Sequence, residues 1–197
     1  MTNDYHFITH WRIEASEEAV YDLISHPADY PRWWPSVYLD AAVLDPGGQD
    51  GLGRRVRFHT KGWLPYTLRW ESCAIEKERP RRLVVRATGD FDGRGIWTLE
   101  QHGESVNVTF DWQLIADKPL LRYLSFLFKP AFAANHRWAM ARGEESLRLE
   151  LLRRRAQTDE ARAPVPAPPA PNRTSTLWLG AGCVILLLLL LAAVRAL

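Results

Sequence analysis

The chain has 197 residues and a formal net charge of +2. That length fits one domain with a short appendage, and the near-neutral charge gives no reason to expect a nucleic-acid partner. The sequence holds no glycine-rich phosphate loop before a helix and no nucleophile motif. Its six histidines lack the spacing of metal ligands, so neither a metal site nor another cofactor is expected.

The N-terminal part predicts one strand followed by two short helices. Residues 5–14 alternate bulky and polar side chains, as a strand does. Ser16 is a suitable N-cap for a helix that ends before Pro27. A second helical turn is expected at 28–34, broken by Pro31 and by the proline at 35.

From residue 37 the hydrophobic period changes to two, with glycine and proline between the runs. This pattern predicts six further strands, at 37–45, 53–60, 65–77, 82–91, 94–101 and 105–116. Alternating strands joined by short turns favour an antiparallel sheet.

A long helix is predicted from Pro119 to about 155, with Pro130 expected to kink or interrupt it. One face of its second half carries residues at helical spacing, namely His136, Met140, Gly143, Leu147 and Leu151. The fold class is therefore α+β. We expect a curved antiparallel sheet of about seven strands wrapped around this C-terminal helix.

The element order and several short segments resemble the START-like, or SRPBCC, helix-grip superfamily, and its polyketide cyclase/dehydrase-like members in particular. The similarity spans roughly residues 5–152 and is carried by the segments WRIEA (11–15), AVYDLI (19–24), DYPRWWP (29–35), GIWTL (95–99) and NHRWAM (135–140). The resemblance implies a deep, mostly apolar cavity between sheet and long helix. Such cavities serve lipids, polyketides, sterols or quinones, in binding proteins and in enzymes.

Flat aromatic rings on the concave face would suit an apolar, planar ligand. The candidate ligand-binding residues are Phe58, Tyr66, Trp70, Trp97, Phe110 and Trp112 from the strands, with His136 and Met140 from the helix. Filling of an ordinary core is the alternative role for each ring. Trp33 and Trp34 would form either a lip of the entrance or a staple on the sheet.

His136 is the one candidate catalytic residue, since it could give a proton or a hydrogen bond to a ligand carbonyl. The alternative is a histidine that is hydrogen-bonded to a neighbouring group and has no chemical role. Arg69 and Glu71 are expected to form an ion pair on the solvent side of their strand. If the parity of the strand is reversed, Arg69 would instead anchor a ligand in the cavity.

The C-terminus predicts a membrane anchor. Residues 177–194 form 18 consecutive positions without a charge, and a helix of that length spans roughly 27 Å, close to the apolar core of a bilayer. Arginines are more numerous before the span than after it, so the domain at 1–155 is expected in the cytoplasm. Residues 156–176 form an Ala/Pro-rich linker, and alternating prolines predict an extended spacer.

These observations suggest membrane-anchored binding or transfer of a small hydrophobic molecule, with the bilayer as second partner. The alternatives are a cyclase or dehydratase that uses the same cavity and a membrane-proximal scaffold for a protein partner. The Ala, Arg and Pro content is typical of a bacterial genome, which makes a bacterial inner membrane the expected location.

Overall fold

The computed structural model describes the backbone of residues 4–115 and 119–172, and the side chains of this part except those of 119–128. In that part of the chain no helix is both long enough and apolar enough to cross a membrane. The predicted span at 177–194 lies outside the described residues.

The described residues form seven strands and four helices, with one 3-10 turn, Pro27–Asp29. The strands are β1 (Asp4–Ile13), β2 (Tyr38–Asp45), β3 (Arg55–Lys61), β4 (Thr67–Glu78), β5 (Arg82–Gly89), β6 (Asp92–His102) and β7 (Ser105–Ile115). The helices are α1 (Glu17–Ile24), α2 (Tyr30–Trp33), α3 (Pro119–Arg155) and α4 (Asp159–Arg162).

All seven strands form one curved antiparallel sheet in the order β1-β7-β6-β5-β4-β3-β2. Strand β1 therefore does not pair with β2, which follows it in the sequence. It pairs with β7, with Phe7 opposite Trp112. The predicted strands are confirmed, with ends that differ by at most two residues. The sheet and the long helix α3 form the helix-grip architecture expected from the sequence.

Helix α3 closes on the concave face of the sheet through its C-terminal half. Leu147 and Leu151 are buried there. Gly143 lies so close to the indole of Trp34 that a Cβ atom would stand 2.3 Å from Cζ2. The glycine therefore fixes how near the helix can come to the α2 segment, and the predicted inward face of α3 is confirmed.

The expectation about Pro31 is wrong, and of the two effects expected of Pro130 the interruption is not found. Pro31 does not break the second helical turn, because it occupies the first turn of α2, where its missing N–H costs nothing. Pro130 does not interrupt the long helix, which is continuous from Pro119 to Arg155. A proline inside a helix costs about 3 kcal/mol, and burial of Met140, Leu147 and Leu151 from the same helix offsets that cost.

The described part of the Ala/Pro-rich segment, residues 156–172, contacts the domain at two points. Arg153 donates to the carbonyl oxygen of Pro166. Farther on, Lys61 Nζ donates to the carbonyl oxygen of Asn172 at 2.9 Å. The described segment thus runs from the end of α3 back to the end of β3.

The contact between Gly143 and Trp34 yields a stability prediction. Alanine normally stabilises a helix by about 1 kcal/mol over glycine, but the added Cβ of Gly143→Ala would overlap the Trp34 indole. We expect the overlap to dominate and the free energy of unfolding to fall by about 1–2 kcal/mol in urea denaturation. Ala141→Gly, at an exposed position of α3, measures helix propensity alone. A more stable Gly143→Ala protein would contradict the close contact.

Candidate functional site

A cavity of about 230 Å³ lies between the concave face of the sheet and helix α3. Residues from β1, β3, β4, β5, β6 and β7 form its floor, while α3 covers it and the α1–α2 region closes its side. The cavity runs along β3, from Arg54 just before the strand to Lys61 at its end. Seven residues at strand rise separate these two points by about 23 Å.

Aromatic side chains make up much of the cavity wall. They are Tyr5, Phe7, Tyr30, Trp34, Tyr38, Phe58, Tyr66, Trp70, Phe91, Trp97, Phe110, Trp112 and Phe132. Trp97 and Phe110 stack with ring centroids 4.0 Å apart and an interplanar angle of 17°. Phe110 in turn stacks on Trp112 at 5.3 Å. The stacked rings form a flat, stiff surface.

Glycine at position 95 is what allows these rings to lie flat. Gly95 pairs with Trp112 across β6 and β7. A Cβ atom at position 95 would come within 2.7 Å of the Trp112 ring and 2.9 Å of the Phe110 ring. Because glycine has no side chain, the rings settle on the backbone of the sheet instead of rising into the cavity.

The structure brings all eight sequence-predicted site residues onto the wall of this one cavity. They are Phe58, Tyr66, Trp70, Trp97, Phe110, Trp112, His136 and Met140. Other wall residues were not among those predicted, above all Tyr5 and Phe7 on β1 and the pair Tyr30 and Tyr38. The two residues on β1 could have been found, because they share the inward parity of Trp11 and Ile13.

His136 projects from α3 into the cavity and is held on two sides. Its ring stacks on Phe7 with centroids 4.4 Å apart and an interplanar angle of 16°. Its Nε2 and the hydroxyl of Thr9 are hydrogen-bonded at 3.3 Å. Burial, reinforced by the nearby Arg137, lowers the pKa of His136 to about 4. The imidazole is therefore neutral at pH 7. It lines the cavity and is also hydrogen-bonded to Thr9.

The tyrosine hydroxyls of the cavity wall differ in whether they have a hydrogen-bond partner in the protein. Tyr30 donates to the carbonyl oxygen of Ile24 at 2.5 Å. The hydroxyl of Tyr5 is buried and has no hydrogen-bond partner among the groups that the structure describes. Burial raises the pKa of Tyr66 to about 12, with a smaller contribution from the nearby Tyr5. These hydroxyls stay neutral and offer hydrogen bonds without charge.

The described structure corrects one expectation about an ion pair and decides between two alternatives for a pair of tryptophans. Glu71 pairs with Arg55 at 2.8 Å, not with Arg69, because the neighbouring strand brings Arg55 closer than a residue two positions along the same strand. Trp33 and Trp34 are not a lip of the entrance, since they are 1% and 3% exposed. Trp34 packs on Trp11 of β1, with ring centroids 5.9 Å apart, as the staple alternative had it.

Charged groups on the cavity wall are few and lie near its two ends. Arg54 and Lys77 are at one end, and Lys61 and Asp90 are at the other. Among the residues that the structure describes, no cluster of His, Cys, Asp and Glu is suited to hold a metal ion. What the cavity itself offers is an apolar, ring-lined space with a neutral imidazole and a few hydroxyls.

Comparisons with known proteins agree with this geometry. A family profile described as "Polyketide cyclase / dehydrase and lipid transport" matches residues 7–151. A search of curated proteins finds no significant match.

Among solved structures, TTHA0849 from Thermus thermophilus is 19% identical, with a TM-score of 0.62, and the match covers 77% of this chain and 99% of that one. The Zhui aromatase/cyclase from Streptomyces sp. R1128 is 15% identical, with a TM-score of 0.58 and coverage of 77% and 95%. A START superfamily protein from Mycobacterium smegmatis is 16% identical, with a TM-score of 0.52 and coverage of 69% and 98%.

At these identities the structural matches establish the shared fold, while the profile spans nearly the whole of the domain that encloses the cavity. The chain therefore belongs to the polyketide cyclase/dehydrase and lipid transport family, within the START-like, or SRPBCC, superfamily.

Proposed function

We propose that this protein binds a small, flat hydrophobic molecule in the cavity beneath α3 and is held at a membrane by residues 177–194. The ring-lined cavity carries the proposal. Stiff aromatic walls with a few polar groups are typical of small-molecule sites. A volume of about 230 Å³ is smaller than that of most ligand pockets, which favours a compact guest.

The inner wall suits a ligand with a carbonyl or hydroxyl group. Neutral His136 can form one hydrogen bond with a ligand through Nδ1, in addition to the one between its Nε2 and Thr9. The unpartnered hydroxyl of Tyr5 can both donate and accept. A buried polar atom without a partner costs about 1–3 kcal/mol, so a guest that satisfies Tyr5 would recover that free energy.

The membrane part of the proposal is supported by the uncharged stretch at 177–194 and by the course of the linker. Asn172 is hydrogen-bonded to Lys61, a residue of the cavity wall. Leu177 lies five positions beyond Asn172 in the sequence, and an extended chain of that length reaches at most about 17 Å. The proposed anchor would thus keep this end of the cavity close to a bilayer, with the domain on the cytoplasmic side.

A cyclase or dehydratase activity is the second candidate, favoured by the family description and by the buried histidine on the cavity wall. With a pKa of about 4, His136 would act at neutral pH as a hydrogen-bonding group or a weak base, not as an acid. The ring-lined wall requires no reaction to account for it. We therefore prefer binding over catalysis.

Blocking the cavity should remove its guest. Ala139 lines the cavity from α3, whereas Ala141 lies two residues on at an exposed position. We expect Ala139→Trp to fill the space and Ala141→Trp to leave it open. Mass spectrometry of molecules that co-purify with the full-length protein should show a species that is retained with the wild type and with Ala141→Trp, and depleted at least tenfold with Ala139→Trp.

Both variants keep the proposed anchor, so lipids that merely surround it should be the same in the two samples. Identical small-molecule profiles for Ala139→Trp and Ala141→Trp, with both proteins folded, would argue against a bound guest in the cavity.

Membrane attachment can be tested separately from ligand binding. The full chain should sediment with membranes and resist an alkaline carbonate wash, because the 18 uncharged residues would span the bilayer. A chain that ends at Asn172 should remain in the supernatant. Recovery of the full chain in the supernatant would refute the anchor and leave the cavity proposal standing.

The neutral state of His136 predicts a pH dependence of stability. The unfolded imidazole takes up a proton near its ordinary pKa of 6.5, while the folded one resists until about pH 4. The unfolded state therefore binds more protons in this interval, and the free energy of unfolding falls as the pH is lowered from 6.5 towards 4. Between pH 6.5 and 5 this contribution is about 1–2 kcal/mol.

Urea denaturation of His136→Gln at the two pH values should show a smaller loss than the wild type. His102→Gln, at an exposed position, serves as the matched control and should behave like the wild type. An equal loss for His136→Gln and the wild type would show that the imidazole is not kept neutral by the fold.

A further inference from the structure

One end of the cavity is shaped by an irregularity in β4. The register between β4 and β5 shifts between Ala74 and Glu76, so Ile75 is an extra residue without an opposite partner. Such a β-bulge reverses which side chains face inward beyond it. Strict alternation after Trp70, Ser72 and Ala74 would turn Glu76 into the cavity.

With the bulge, Lys77 lines the cavity in place of the carboxylate at position 76. Opposite it on β5 is Leu83, which is also a wall residue. Glu76 instead pairs with Arg82 at 2.6 Å, away from the cavity. The bulge thus exchanges a negative group for a positive one on the wall.

A second cation, Arg54, lies beside Lys77 at the same end. Its Nε donates to the carbonyl oxygen of Pro46 at 3.2 Å, and its Nη1 donates to that of Ser25 at 3.4 Å. Lys77 Nζ donates to the carbonyl oxygen of Asp50. Within 4–115 and 119–172 neither cation has a carboxylate oxygen inside 4.0 Å.

The surroundings do not neutralise this pair. Burial lowers the pKa of Lys77, and so do the nearby charges of Arg54 and Arg79, while Asp50 opposes them. Arg79 has its own partner, Asp22, at 3.0 Å. Two half-buried cations therefore face one carboxylate that neither of them contacts, which leaves one positive charge in excess.

From this arrangement we propose that Arg54 and Lys77 bind the carboxylate of the cavity's guest, so that the ligand is a flat hydrophobic acid. The inference rests on the proposed function and adds the chemical class of its ligand. One excess positive charge matches a monoanion, and Arg and Lys side chains together supply the charge-assisted donors that a carboxylate prefers. The stacked rings would hold the apolar body.

A matched pair of ligands tests the charge alone. 1-Naphthaleneacetate and its neutral amide have the same ring system and nearly the same size. Calorimetric titration of the full chain in phosphatidylcholine nanodiscs, with empty nanodiscs as the blank, should show the acid binding about tenfold more tightly than the amide. Ala139→Trp should weaken binding of both ligands.

Substitution of Arg54 or Lys77 should remove the preference for the acid over the amide and leave the hydrophobic pocket in place. In Arg54→Gln and in Lys77→Gln the affinity for the acid should fall towards that for the amide, and this loss should exceed any loss of affinity for the amide. Lys77→Arg should retain the preference. Arg57→Gln, at an exposed position on β3 that does not line the cavity, is the matched control.

The outcomes separate the two proposals. Equal binding of acid and amide by the wild type overturns the carboxylate site and leaves the hydrophobic pocket intact. If neither ligand binds, both proposals fail.

Lysine footprinting on the wild type gives an answer that does not depend on variants. The acid, but not the amide, should protect Lys77 from acetylation, whereas Lys129, which is exposed on α3, should react equally with either ligand. Equal labelling of Lys77 with the acid and with the amide would overturn the inference.

Discussion

The closure of α3 on the concave face of the sheet is the constraint on which the rest of the structure depends. Leu147 and Leu151 bury themselves against the sheet, and Gly143 lets the helix touch the Trp34 ring. Towards its N-terminal half the same inward face presents Ala139 and His136 to the cavity. One continuous helix thus packs into the core at one end and covers the cavity at the other.

The aromatic wall keeps that cavity from collapsing. Protein interiors pack densely, because a void forfeits dispersion contacts along its lining. Here the rings cannot readily turn inward to fill the space, since each is held by a neighbour: Trp97 by Phe110, and Phe110 by Trp112. Trp70 is held by its indole hydrogen bond to Thr60 at 3.1 Å. A guest that binds only the native state would regain the missing contacts and stabilise the fold.

Much of this could be predicted from the sequence, because two periodicities control it. Alternation in the strands identified Phe110 and Trp112 as inward residues, and helical spacing identified the face that contains His136 and Met140. The pairing of β1 with β7, which puts Phe7 beneath the His136 ring, depends on sheet order. Local patterns do not encode sheet order, so the contact partners of His136 stayed hidden.

Other features escaped because the sequence signal was absent or ambiguous. The bulge at Ile75 is followed by two charged residues, Glu76 and Lys77. Either of them could face solvent, so the sequence does not indicate which one faces the cavity. Proline runs predict an extended backbone, but they do not say whether that backbone projects or lies along the domain. The contacts of Pro166 and Asn172 are tertiary and depend on where α3 ends.

The cations placed by the bulge and the contact with the linker lie at opposite ends of the cavity. Lys77 and Arg54 lie near the start of β3, whereas the linker meets Lys61 at its end, about 23 Å away at strand rise. On the proposed topology a hydrophobic acid would enter from the membrane side with its carboxylate leading, and its apolar body would follow onto the rings. The carboxylate would then reach Arg54 and Lys77 only after the apolar part of the ligand had left the bilayer. Electrostatic attraction would thus act at one end of the ligand and apolar burial at the other. A neutral lipid would gain the second contribution alone, which makes the cation pair a basis for selectivity among molecules that the rings would otherwise bind alike.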